Sequence, residues 1–311
     1  MFIALIAVAW QDCFAQAYPV KPIRLVVPFP AGGTTDVVAR ILAQPLSEHL
    51  KQPVLVENRA GAYGVIGFAA VAKSAPDGYT LIVGSMGNFT ANPSLYALPF
   101  DIQRDFAPVT QLVSLQHMLV VHPSVAANSL RELIALAKAQ TLSFSSSGSG
   151  GAPHLAGELF NRLVQVKMMH VPYKGSAPSY TDLVGGHVQL SFDTIAMGLP
   201  YVKSGKLKAL AVLGSRRSAL MPDLPAASET LPGFEMTNWI GVAAPAGTPQ
   251  SIVDTLQREI SRVVHGQDIA ARMHSLGAEP IASTPAAFAA LISADTARWA
   301  KVIKEGGIRA E

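Results

Sequence analysis

The chain has 311 residues, half of them hydrophobic and 14% charged, with a formal net charge of +3. That length exceeds what one core usually serves and predicts two lobes of roughly 100–150 residues each, and the composition argues against disorder. The basic excess is dilute, with no Lys/Arg run beyond Arg216 and Arg217, which argues against a nucleic-acid-binding stripe.

An apolar run from Phe2 to Trp10, followed by Ala15, Gln16 and Ala17, fits the h-region and cleavage site of a secretory signal over residues 1–17, with Tyr18 first in the mature chain. No base precedes Phe2, and a true start upstream of Met1 is one explanation. A buried N-terminal strand is the other reading of the run. Cys13 is a poor lipidation site, because Trp10, Gln11 and Asp12 precede it. Losing the leader removes the only cysteine, and with it any disulfide or thiolate metal site. Beyond the leader no apolar stretch approaches the ~20 residues of a membrane span, so the mature protein is expected free in its compartment.

From there short apolar runs alternate with helical patterns, the sequence form of βαβ units. A strand at 23–28 is followed by a helix from about Asp36, with Val38, Ile41, Leu42 and Leu46 on one face; Pro45 is expected to bend it or end it early. A strand at 54–56, a Gly-rich loop at 61–64, a helix from Val65, a turn at 76–78 and a strand at 81–83 follow. The rhythm restarts with a strand at 118–121 and a helix opened by the capping box Ser129 and Glu132. It continues through strands at 142–145, 168–171, 188–193 and 207–213, with helices from Pro153 and near Tyr180. A third section holds a strand at 239–244, a helix at 250–265 entered through Thr248 and Pro249, and a helix at 284–305.

Two loops share one design, a strand ending in small residues that lead straight into a helix. The first runs through Phe29, Ala31, Gly32, Gly33 and Asp36; the second through Ser147, Gly148, Ser149, Gly150 and Gly151. At such junctions unpaired N–H groups and the helix dipole face an anion, and glycine lets a ligand approach the backbone. Either loop alone is also what a tight βα turn without a ligand looks like. Two of them on separate restarts favour one carboxylate held between facing lobes. Gly148, Gly150 and Pro153 break the dinucleotide pattern, and no glycine loop ends in Gly-Lys-Ser/Thr.

His154, at the start of the second helix, is placed either to reach a ligand or to cap and pack. Tyr173 and Lys174 follow a strand, and Asp193 ends one; a solvated lysine and a turn-capping aspartate are the alternatives. There is no Gly-x-Ser-x-Gly elbow and no His-Glu-x-x-His, and His117 and His122 point to opposite faces of a strand. These residues indicate neither an enzyme nor a metal or cofactor site.

The ordered motifs resemble the periplasmic receptors of tripartite tricarboxylate transporters, the Bug receptors. They include Tyr18-Pro19, Val27-Pro28-Phe29 with Gly32-Gly33 and Asp36, Glu57-Asn58-Arg59 with Gly61, and Pro76-Asp77-Gly78-Tyr79. Later come Gly148-Ser149-Gly150 with His154-Leu155-Ala156, Val171-Pro172-Tyr173-Lys174-Gly175, Phe192-Asp193 and Ala244-Pro245-Ala246-Gly247-Thr248-Pro249. The resemblance implies an α/β, type II periplasmic-binding-protein fold, with a discontinuous first lobe at 18–115 plus 215–311 and an inserted lobe at 116–214. It implies a carboxylate-gripping loop at Phe29 to Asp36, an opposing loop at Ser147 to His154 and a strand-end acid at Asp193. Ser85 and Asn88, in a variable loop at 85–90, join the candidate ligand-binding residues. It also implies a monomeric, periplasmic, non-enzymatic receptor with no cofactor, which hands a dicarboxylate, tricarboxylate, acidic amino acid or aromatic acid to integral-membrane transporter subunits. A sensor serving a signalling partner is the alternative, and an enzyme on the same scaffold is a third.

Overall fold

The computed structural model describes residues 18–214 and 216–309; the expected leader, Cys13 and the lobe boundary at Ser215 lie outside them. Ten strands form the framework: β1 (Ile23–Val27), β2 (Val54–Asn58), β3 (Thr80–Ser85), β4 (Phe106–Val121), β5 (Ser143–Ser146), β6 (Met169–Pro172), β7 (Leu190–Thr194), β8 (Lys208–Val212), β9 (Thr237–Pro245) and β10 (Ala278–Pro280). Their order is β2-β1-β3-β9-β4-β7-β5-β6, with β8 and β10 also paired to β4.

Strand β4 joins two half-sheets. Its residues 106–116 run antiparallel to β9, and His117 to Val121 run antiparallel to β7. The first half holds the parallel set β2-β1-β3 and the second the parallel set β7-β5-β6. Both are covered on two faces, as parallel sheets require. In β1, Ile23, Leu25 and Val27 pack toward the helices Thr34–Leu50 and Gln250–Val264, while Val26 joins Phe68 and Phe89 on the other side. Strand β4 repeats this alternation in the second half, with Met118 and Val120 toward Tyr180 and Leu183, and Leu119 and Val121 toward Phe144 and Phe160.

Several local expectations change. The helix Thr34–Leu50 carries Pro45 inside it, and burial of Leu46 and Leu50 beyond the proline holds its last turns in place despite the missing N–H donor. Ser129 caps its helix through the Glu132 N–H, but Glu132 accepts from the Asn128 N–H and not from Ser129 itself. Pro249, not Thr248, is the cap of Gln250–Val264, because the Thr248 hydroxyl donates to the Pro245 carbonyl at 2.7 Å. Two further helices, Ile195–Lys203 and Gln267–Ser275, were not expected. Among the described residues no helix is long and apolar enough to cross a membrane.

Candidate functional site

Four helices begin where the two half-sheets face each other. Strand β1 leads into Thr34–Leu50, β5 into Ala152–Val164, β6 into Ser176–Val184 and β7 into Ile195–Lys203. The first three have Gly33, Gly151 and Gly175 as N-caps, none with a side chain to satisfy the first-turn N–H groups. The fourth has Thr194, whose Oγ1 accepts from the Met197 N–H at 3.4 Å. Away from this face, helices Leu130–Ala139 and Pro285–Gly306 carry the side-chain caps Ser129 and Thr284.

All four starts line one cavity of about 60 Å3, through Gly33 and Thr34, Ala152 and Pro153, Gly175 and Ser176, and Thr194. Uncapped donors and four positive dipole ends around one small space are a physical description of an anion site. Lys174 lines it too and makes no ion pair among the described residues. Thr34 Oγ1 and Thr194 Oγ1 stand 3.0 Å apart across the cleft.

Of the candidates read from the sequence, Phe29, Ala31, Gly33, Ser85, Ser147, Lys174 and Asp193 line this cavity. Asp193 is buried, with Oδ1 accepting from the Thr194 N–H at 2.6 Å and Oδ2 without a hydrogen-bond partner. Burial pushes its pKa up, against the lowering effect of the bond from the Thr194 N–H. Gly148, Ser149 and Tyr173 stand back and line an adjoining hollow of about 630 Å3. The Tyr173 phenol is engaged elsewhere, donating to Asp182 Oδ2 at 2.6 Å.

The remaining candidates shape the loops from behind. Asp36 is buried and accepts from Gly32 N–H at 2.9 Å, Arg40 Nε at 3.0 Å and Asn58 Nδ2 at 2.8 Å. Burial acts to raise its pKa, but the bonds from Arg40, Gly32 and Asn58 outweigh burial and hold it low. Asn88 accepts from Ser85 N–H and Oγ, both at 3.0 Å, and donates to the Tyr63 carbonyl at 2.9 Å. His154 is turned inward: its Nδ1 accepts from Gly150 N–H at 3.0 Å, and its ring stacks on His170 at 3.8 Å. Burial lowers its pKa to about 4, so it is the neutral acceptor this bond requires. In this geometry His154 packs and supports the loop.

Tyr63, Leu115, Thr194 and Asn238 line the cavity without having been singled out from the sequence, and Thr34, Thr35 and Ser176, which line it too, lay within or beside the loops read there but not among the named contacts. Thr34 and Ser176 were legible as residues directly after N-cap glycines. Tyr63 and Asn238 come from a loop after β2 and from β9, and nothing in their local sequence points to the cleft. Among the described residues no group of three or more His, Cys, Asp or Glu could hold a metal ion.

Two α/β half-sheets joined through β4, with helix N-termini facing a cleft, define a solute-binding protein of the two-lobed periplasmic type. Structural comparison agrees. The chain superposes on periplasmic binding protein BugD with a TM-score of 0.88 at 35% identity, covering 94% of this chain and all of the other. A protein of R. palustris solved with adipate gives 0.91 at 36% identity, covering 94% and 99%. MatC from Rhodopseudomonas palustris, with bound malate, gives 0.86 at 34%, covering 92% and 100%. Residues 38–308 match the model of the tripartite tricarboxylate transporter family receptor, and BugT of Bordetella pertussis is 38% identical over 317 residues, covering 99% of this chain and 96% of that one. The chain belongs to this receptor family, whose members are binding proteins and not enzymes.

Proposed function

We propose that the protein is a periplasmic receptor that captures a small carboxylate between its lobes and presents the closed form to integral-membrane transporter subunits. The observation that carries this reading is the convergence of three glycine-capped helix N-termini, with Lys174, on one small cavity. A carboxylate there would accept several N–H bonds worth about 1.5–3 kcal/mol each. The adipate and malate in two similar structures are carboxylates as well.

Asp193 refines the reading. A carboxylate with an unpartnered oxygen beside an anion site is tolerated if it keeps a proton, as its raised pKa favours, or if the ligand brings a hydroxyl or ammonium donor. Lobes of 18–115 plus 215–311 and of 116–214 fit this picture, because the change of β4 partners falls between Gln116 and His117. The contacting set proposed is Phe29, Ala31, Gly33, Thr34, Ser85, Ser147, Lys174, Ser176, Asp193 and Thr194.

Mass spectrometry of the small molecule that copurifies with the protein, followed by thermal shift with that acid and its neutral amide, tests the proposal. The acid should raise the melting temperature and the amide should not. Stabilisation by sugars or nucleotides, and by no acid, would refute it.

A further inference from the structure

Six residues line both the cavity and the adjoining hollow: Phe29, Pro30, Tyr63, Ser147, Lys174 and Gly175. Tyr63 stands out among them for its backbone. It sits in the turn Ala62–Gly64 at φ 43° and ψ 46°, directly after Ala62 at φ 45°. Two successive residues with side chains in the left-handed region are strained, and such strain persists only where the surroundings hold it. Here they do: the Tyr63 carbonyl accepts from Asn88 Nδ2 at 2.9 Å and from Asn92 Nδ2 at 3.1 Å, both side chains buried.

The ring occupies a slot cleared by glycines from both half-sheets. A Cβ at Gly148 would stand 2.6 Å from Tyr63 Cδ2, one at Gly151 would stand 2.5 Å from its hydroxyl oxygen, and one at Gly87 would stand 3.2 Å from Cε1. Phe29 meets the ring edge-on at a centroid distance of 5.3 Å. The hydroxyl lies toward Ser85 and Ser147, one on each side of the cleft. The cavity on one side of the ring measures about 60 Å3, and the hollow on the other, walled by Pro28, Phe29, Pro172 and Tyr173, measures about 630 Å3.

We infer that Tyr63 sets the length of the ligand: its ring stands between a small cavity and a hollow about ten times larger, so short-chain carboxylates are held in the cavity and longer or aromatic acids are excluded. This inference rests on the carboxylate-receptor reading and adds the size class to it. Tyr63 acts as a wall. Removing the ring joins cavity and hollow, and a longer chain then gains about fourfold in affinity per methylene buried in the hollow.

The test is calorimetric titration of acetate, propionate, succinate, adipate and benzoate into the parent, Tyr63→Gly and Tyr63→Phe. Glycine adopts this backbone conformation without strain, so the variant should fold, and Tyr63→Phe keeps the wall without the hydroxyl. The parent and Tyr63→Phe are expected to bind a short acid at least tenfold tighter than adipate or benzoate. Tyr63→Gly is expected to shift the ratio of adipate to succinate affinity at least tenfold toward adipate. A parent that prefers adipate or benzoate, or a Tyr63→Gly ratio equal to the parent's, overturns the inference while leaving the carboxylate reading intact. Absence of binding by every acid to all three proteins overturns the carboxylate reading and this inference with it.

Discussion

Substituting Gly33→Asp separates stability from binding at the proposed site. Gly33 caps Thr34–Leu50 at φ −79° and ψ 165°, the extended conformation an N-cap residue adopts, and a Cβ there meets only the Pro30 carbonyl oxygen at 3.9 Å. Aspartate fits that position, and as a better cap than glycine it should leave the fold unchanged or a few tenths of a kcal/mol more stable. The same carboxylate would take the first-turn N–H groups proposed to hold the ligand and repel what remains. Losing two charge-assisted bonds of about 1.5–3 kcal/mol each weakens binding by roughly 10² to 10⁴. Calorimetry with the copurifying acid, beside urea unfolding of the same samples, reads both quantities, and Gly33→Asn separates charge from bulk. Binding by Gly33→Asp within threefold of the parent, in a protein of unchanged stability, would show that these N–H groups do not contact the ligand.

Asp36→Asn should lower stability by about 1.5–3 kcal/mol at pH 7, since its carboxylate accepts three bonds. Its folded pKa is depressed, so this stability is present above the unfolded value of ~3.9 and lost as the pH falls further; urea titrations should show that acid limb flattened in the variant. His117, His154 and His170 are held neutral by burial, with pKa values lowered to about 3, 4 and 3. The unfolded chain takes these protons first, near pH 6.5, so stability should fall between about pH 6.5 and 4, and His117→Leu should remove part of the slope. Because the Asp193 pKa is raised by burial, its protonated form grows as the pH falls through that raised value and repels an acid ligand less. Affinity should rise over the same interval, and Asp193→Asn should abolish the pH dependence; a slope that survives the substitution assigns it to another group. Thr194→Ala removes both a helix cap and the contact with Thr34, and should cost about 1 kcal/mol and enlarge the ligand-free radius of gyration in small-angle scattering.

The junction loops were legible because their chemistry is local. A run of small residues after an apolar strand says that backbone N–H groups are uncovered there, and Gly33, Ser147 and Asp193 all reach the cavity. What was not legible depends on distant partners. His154 has the position of a ligand contact, yet a stack on His170, sixteen positions later in sequence, turns it inward. Tyr63 carries no signal of its own, since its place in the cleft depends on Asn88, Asn92 and glycines of two other loops. The first three-quarters of β4 went unread because Pro108 and two register shifts, near Pro108 and Gln111, interrupt the alternation that would have marked it.

The length of β4 is itself constrained by the same geometry. Sixteen residues pass from one half-sheet to the other without a loop, and side chains on a strand alternate faces with period two. One residue inserted or deleted near Gln116 would leave one half in register and turn the other over, exchanging Met118 and Val120 with Leu119 and Val121 between opposing cores. Variation among relatives should therefore accumulate as loop insertions elsewhere, while the number of residues between Val113, paired to β10, and Val121, paired to β8, stays fixed. The crossing strand sets a common ruler for both halves, and a change of count there would disable two cores at once.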